Sequence, residues 1–119
     1  MKIFVYGTLK KGYWNSPILG DSKLIKKHIV KGYKLLDNGF PVAVPSEKDS
    51  VSGEIWEIDP DVTLPRLDRL EGHPHMYVRT HLPDEDISLY VGNLNRWPVD
   101  RMTECPNDNN VYTWGKNHE

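Results

Sequence analysis

Lys2-Ile3-Phe4-Val5-Tyr6 is a run of residues with high β propensity that ends at Gly7. It reads as a strand, and its nearly unbroken apolar character is that of a strand covered on both faces. Gly7-Thr8-Leu9-Lys10-Lys11-Gly12 then reads as a turn. Successive backbone N–H groups in such a turn can converge on an anion or a developing oxyanion. Gly7 would let the backbone approach a ligand closely. An ordinary turn after an edge strand looks the same. The spacing and the Lys-Ser/Thr ending of a phosphate-binding loop are absent.

Outward from this segment, Ser16-Pro17 reads as an N-cap and first helical position of a helix cut short by Gly20. Leu24–Lys31 and Tyr33–Leu36 are β-like runs divided by Gly32. Asn38-Gly39 signals a turn, and Pro41 and Pro45 bracket a short Val-Ala-Val. Val51–Ile58 is a further strand, in which Gly53 suggests a bulge or a sharp bend. Val62–Glu71 reads as a helix, with Pro65 in its first turn and Gly72 as its stop. Met76–Leu82 and Ile87–Val91 are strands joined by an acidic turn. Beyond Asn93 the pattern weakens into loops, with a last short strand at Val111–Trp114. Many short strands and few helices predict an α+β fold built on a strongly bent or closed sheet with helices packed on it.

The 119 residues suit a single domain spanning 1–119, with the tail from 93 to 119 its least defined part. No repeat, low-complexity tract or linker interrupts them. A net charge of −2 gives no global basic field for nucleic acid. The charge is uneven: residues 1–48 hold nine Lys and three acids (+6), and residues 49–119 hold six basic residues and fourteen acids (−8). The basic half is either a polyanion site or, more plainly, a half that folds against its acidic complement. The single cysteine, Cys105, excludes an internal disulfide and a Cys-rich zinc site. The apolar N-terminal run is too short for a secretory signal, and no stretch approaches the roughly 20 apolar residues of a membrane helix. The expectation is a soluble, cytoplasmic protein.

Glu71 is the residue out of place. At 100° per residue from Leu64, the apolar arc through Leu67 and Leu70 runs from about 240° to 360°, and Glu71 falls inside it near 340°. Asp68 falls at its edge. A glutamate on a buried stripe must be paired, hydrogen-bonded or protonated, and desolvation would raise its pKa toward neutrality. The alternative is that Glu71, in the last helical turn, reaches water. His73, His75, His81 and Cys105 lack standard metal-ligand spacing. Thr8 or a serine as nucleophile would need an activating base, and no Gly-x-Ser-x-Gly elbow exists. Arg79 shares a strand face with Tyr77 and His81, where it could bind a carboxylate, pair with Glu71, or stand solvated. Trp56 fits a core position, while Trp97 and Trp114 suit either packing of the tail or the wall of a cleft.

Three segments together resemble the gamma-glutamylcyclotransferase-like superfamily. They are Phe4-Val5-Tyr6-Gly7-Thr8-Leu9-Lys10-Lys11-Gly12, then Val51-Ser52-Gly53-Glu54-Ile55-Trp56-Glu57-Ile58, then Leu67-Asp68-Arg69-Leu70-Glu71-Gly72-His73-Pro74 running into Tyr77-Val78-Arg79. The likeness spans residues 1–91, about three-quarters of the chain, and the opening segment looks most like the gamma-glutamylamine cyclotransferase branch. The resemblance implies a small mixed β-barrel flanked by short helices, with a cavity at its mouth. It implies cofactor-free conversion of a small gamma-glutamyl amide to 5-oxoproline and an amine, while the ligand spacing, charge and hydropathy above give the expectation of no metal, nucleic-acid or membrane partner. Glu71 corresponds to the family's catalytic glutamate, and Tyr6, Gly7, Thr8 and Leu9 to its substrate-cradling loop. The loop amides would hold either the substrate α-carboxylate or the tetrahedral oxyanion. Tyr77 and Arg79 stand as binding groups or as groups behind them. A catalytically silent binding module on the same fold is the alternative, as is an enzyme for a gamma-glutamylated biosynthetic intermediate or a crosslinked peptide.

Overall fold

A computed structural model describes residues 1–115. The strands are β1 (Lys2–Val5), β2 (Lys23–Asp37), β3 (Pro41–Glu57), β4 (Tyr77–Leu82), β5 (Ile87–Gly92), β6 (Thr103–Glu104), β7 (Asn107–Asp108) and β8 (Val111–Tyr112). One α-helix, α1 (Thr63–Glu71), is joined by short 3-10 turns at Ser16–Leu19 and Val99–Arg101. The sheet runs β4-β5-β1-β3-β2-β6, with β8 laid on β3 and β7 paired to β8. It is mixed: β1 is antiparallel to β3 but parallel to β5, and β8 is parallel to β3. The path ends on β4 at one side and β6 at the other. The expected small mixed β-barrel with short flanking helices therefore takes the form of a curled half-barrel.

β1 lacks alternation because both its faces are covered. Ile3 and Val5 enter one core with Leu19 of the first 3-10 turn and Leu67 of α1. Phe4 and Tyr6 enter the other with Val30, Val51 and Leu89. A residue such as Leu67, fully buried, is worth about 2–5 kcal/mol against alanine.

The β2–β3 hairpin is longer than the local signals suggest. The two runs on either side of Gly32 are one strand, and Gly32, at φ 96°, marks a register shift rather than a break. Pro41–Val44 and Val51–Glu57 are likewise one strand. Pro45 pairs with Tyr33 beside that shift, where a missing ladder donor matters least. A second shift falls between Leu24 and Lys26. Each irregularity adds local twist and helps curl the sheet. Gly53 is not a bulge: it pairs with His28 in register. A Cβ there would run into the Val5 carbonyl oxygen and the Phe4 ring, so Gly53 marks where β1 and β3 come closest.

The first 3-10 turn is capped at Asn15 rather than Ser16, with Pro17 in second place. α1 ends on Gly72, in the left-handed region at φ 64°, with His73 N donating to Asp68 O at 2.9 Å. Glycine is the residue that takes this cap without strain. Among the described residues no helix is long and apolar enough to cross a membrane.

Gly53→Ala is expected to destabilise the fold by about 1–3 kcal/mol through overpacking against Phe4 and the β1 backbone. Urea denaturation measures this, and a loss below about 0.5 kcal/mol would mean that the crossing relaxes freely.

Candidate active site

Where β1 ends, a cavity of about 360 Å³ opens. Tyr6, Gly7, Thr8 and Leu9 form one side, residues 69–72 at the end of α1 another, and Tyr77 and Tyr90 reach it from β4 and β5. The turn that follows β1 is held from within and without. Lys10 N donates to Gly7 O at 3.0 Å, and Asn15 N to Thr8 O at 3.0 Å. Asn15 Nδ2 donates to Thr8 Oγ1 at 2.8 Å. The far end is pinned by Glu54, a buried carboxylate whose Oε1 accepts from Lys11 N at 2.9 Å and from Trp56 Nε1 at 3.1 Å. These bonds, among the described residues, leave the amides of Gly7, Thr8 and Leu9 unused.

Gly7 has a packing reason as well. A Cβ at this position would lie 2.6 Å from Pro41 Cγ, so the turn closes over the start of β3 only with glycine here. The sequence reading assigned Gly7 to the approach of a ligand, and the Pro41 ring supplies a constraint independent of any ligand.

Glu71 stands half-buried in the last turn of α1, on the cavity wall. Among the described residues no group hydrogen-bonds its carboxyl. Burial therefore acts without compensation and pushes its pKa from about 4.5 up to about 7. Its charge is felt by the tyrosines around it. Burial first, then Tyr77 and Glu71, raise the Tyr6 phenol well above its ordinary value. Burial and Glu71 do the same for Tyr77. The hydroxyls of both are committed as donors, Tyr6 to Tyr90 O at 2.5 Å and Tyr77 to Pro41 O at 2.9 Å. What they can offer a ligand is a lone pair.

Arg79 does not line the cavity. Its Nε faces Asp68 Oδ1 at 3.2 Å, without hydrogen-bond alignment, and the pairing open to Glu71 in the sequence goes to Asp68 instead. Tyr90 donates to the same Oδ1 at 2.6 Å. Asp68 thus ties α1 to β4 and β5 one turn before Glu71. His73 Nδ1 accepts from Arg79 N at 3.0 Å, His81 faces Asp86, and burial pushes the Cys105 thiol up to about 12. Among the described residues no three metal-ligating side chains gather.

Several cavity residues carry no local signal in the sequence: Trp14, Phe40, Pro41 and Tyr90 all line it, and so does Trp97, which the sequence left between tail packing and a cleft wall. Trp97 is fixed by its Nε1 donating to Met76 O at 2.7 Å and by edge contact with Tyr77. Trp114 packs on Tyr13 and Trp14. Part of the tail therefore serves the cavity wall. Residues 116–119, the rest of that tail, lie outside the described residues.

The match to known proteins covers the same elements. Residues 3–115 match the family described as gamma-glutamyl cyclotransferase, AIG2-like, and the chain belongs to this family. A Methanocaldococcus jannaschii protein provisionally named as a gamma-glutamylcyclotransferase is 48% identical over 80 residues, covering 65% of this chain and 66% of that one, just under two thirds of its length. The gamma-glutamylcyclotransferase family protein YtfP of Escherichia coli is 36% identical over 103 residues, covering 86% of this chain and 88% of that protein. Its solution NMR structure superposes with a TM-score of 0.70 at 31% identity, over 96% of each chain. The gamma-glutamylaminecyclotransferase of Rattus norvegicus is 35% identical over 95 residues, 67% of this chain and 60% of that protein.

Asp68→Ala should leave the Arg79 Nε and the Tyr90 hydroxyl without their partner and loosen the end of α1. The expected cost is about 2–3 kcal/mol by urea denaturation. A loss under about 0.5 kcal/mol would show that the tie contributes nothing.

Proposed function

We propose that the protein is a gamma-glutamyl(amine) cyclotransferase in which Glu71 moves the proton. The observation that carries this reading is the juxtaposition of an unpaired carboxyl, Glu71, with the turn Gly7–Leu9 across one cavity. In a gamma-glutamyl amide the α-amino nitrogen lies a five-membered ring away from the γ-carbonyl carbon. A site that folds the substrate into that geometry can supply several kcal/mol of the barrier by orientation alone, on the order of 7–11 kcal/mol at most. The α-ammonium first gives a proton to the Glu71 carboxylate. The freed amine attacks the γ-carbonyl, a C–N bond forms, and negative charge develops on oxygen. The amide C–N bond then breaks as Glu71 returns the proton to the leaving nitrogen, and the ring nitrogen gives up its second proton through the same carboxylate to the released amine, which departs as an ammonium. 5-Oxoproline and a free amine result, with atoms and charge balanced and no water consumed. A carboxyl that titrates near 7 suits both halves of this exchange.

In this reading the Gly7, Thr8 and Leu9 amides receive the substrate carboxylate or the developing oxyanion, which their lining of the cavity supports. Tyr6 and Tyr77 wall the site and offer acceptor lone pairs to the α-ammonium. Arg79 acts from behind, by holding Asp68 and so the turn of helix that carries Glu71. A binding module would have no need to bury a carboxyl without a partner.

Glu71→Gln is expected to keep the fold and abolish 5-oxoproline release from gamma-glutamyl amides, measured beside wild type. Equal turnover in the variant would sink the reading. For wild type, kcat/KM should rise with pH through an apparent pKa near 7, as the base form of Glu71 accumulates. The same burial has a stability consequence. With its folded pKa above the unfolded one, Glu71 supports the fold fully below about 4.5, and that support is lost as pH rises to about 7. Glu71→Gln should therefore be more stable than wild type at pH 8, by up to about 3 kcal/mol, with the difference vanishing toward pH 4.

A further inference from the structure

Four of the nine large hydrophobic side chains exposed on the described surface gather at the Glu71 cavity, the other five lying elsewhere. Trp14 is 67% exposed, Phe40 42%, Leu70 39% and Met76 38%, and all four line it. They come from four separate segments: the loop after β1, the β2–β3 turn, the end of α1 and the loop before β4. Apolar side chains scattered singly over a surface are ordinary, but a group gathered around one opening marks a binding surface. The two rings are also held in place. Trp14 packs edge-on against Trp114 at 5.7 Å, and Phe40 against Trp97 at 5.6 Å. Among the described residues lining the cavity, Arg69 is the one charged side chain besides Glu71.

Building on the cyclotransferase reading, we propose that the rim selects the leaving half of the substrate: a large apolar or aromatic amino acid with a free carboxylate, released from a gamma-glutamyl dipeptide. The reacting carbonyl must lie within reach of Glu71 and the Gly7–Leu9 amides, which directs the amide nitrogen and its substituent outward to the rim. There an aromatic or branched side chain lies against Trp14, Phe40, Leu70 and Met76, and its burial favours binding in proportion to the apolar area covered. The carboxylate of the same residue faces Arg69, whose planar fork suits it. A leaving group with a second cation, such as a lysine joined through its side-chain nitrogen, would bring that charge toward Arg69 and find no acid except the working Glu71. The bond changes are those of the cyclisation: the ring C–N bond forms, the dipeptide C–N bond breaks, and two protons pass in turn through Glu71 from the attacking nitrogen to the departing α-amino group, which leaves as an ammonium.

The test measures kcat/KM for 5-oxoproline release from gamma-glutamyl-phenylalanine, gamma-glutamyl-alanine, gamma-glutamyl-ε-lysine and gamma-glutamyl-phenethylamide. Calorimetry measures binding of the first two in parallel. The phenylalanine compound should exceed the alanine and ε-lysine compounds by about tenfold or more. Trp14→Ala, a change at an exposed ring, should shrink the phenylalanine-to-alanine ratio to below about threefold. Arg69→Gln should narrow the gap between the phenylalanine compound and phenethylamide, which lacks the carboxylate. Equal or better turnover of the alanine or ε-lysine compound, or a Trp14→Ala effect equal on all substrates, would overturn the rim assignment while leaving the reaction class intact. No release from any compound, with phenylalanine still bound more tightly than alanine in a Trp14-dependent way, would overturn the cyclisation and keep the rim. Neither release nor selective binding would overturn both.

Discussion

The burial of β1 on both faces is the constraint around which the molecule is arranged. β1, Lys2–Val5, lies between β3 and β5, and its Ile3, Phe4 and Val5 carry side chains into two separate cores. A strand enclosed in this way has one exit, and at that exit the chain must turn sharply beneath Pro41. The turn is pinned by Glu54 and Asn15 rather than by a ladder, and its first residues, Gly7–Leu9, line a cavity instead of pairing with a strand. The site is thus a consequence of where a fully covered strand is made to stop.

Two carboxylates three residues apart on α1 illustrate how environment divides roles. Asp68 accepts from Tyr90 and faces Arg79, so its charge is satisfied and its position fixed. Glu71, less than one helical turn later, has burial and no partner. The paired group anchors the helix and the unpaired one keeps a proton near neutral pH. The same separation of a held from a poised carboxylate underlies acid–base sites in general. It also carries a cost in stability, which a protein accepts where activity requires it.

The cavity changes character along its depth. Its inner part is lined by Gly7–Leu9, Tyr6, Tyr77 and Glu71. Its mouth offers indole and phenyl rings and a guanidinium. Under the proposed reaction, a substrate fitted to both is polar at one end and apolar with a terminal anion at the other, which separates the residues assigned to reaction geometry from those assigned to affinity.

Local residues alone determined a good deal. The buried strand with its stop at Gly7, the helix ending at Gly72 and the misplaced Glu71 were legible, because periodicity, β propensity and a left-handed cap depend on neighbours in the chain. The family resemblance rests on those same segments. The long β2–β3 hairpin was legible only in pieces, since Gly32 and Pro45 read locally as breaks and are tolerated by a register shift that only strand pairing defines. Gly53 reads locally as a bulge or a sharp bend, because the close approach of Phe4 and Val5 of the paired strand β1 leaves no mark in its own neighbours. Arg79 reads in the sequence as a group that binds a carboxylate, pairs with Glu71 or stands solvated, and only the tertiary structure sets it beside Asp68. The rim of Trp14, Phe40, Leu70 and Met76 had no periodicity to reveal it. Its members lie on segments far apart in the chain, and only the closing of the sheet brings them around one opening.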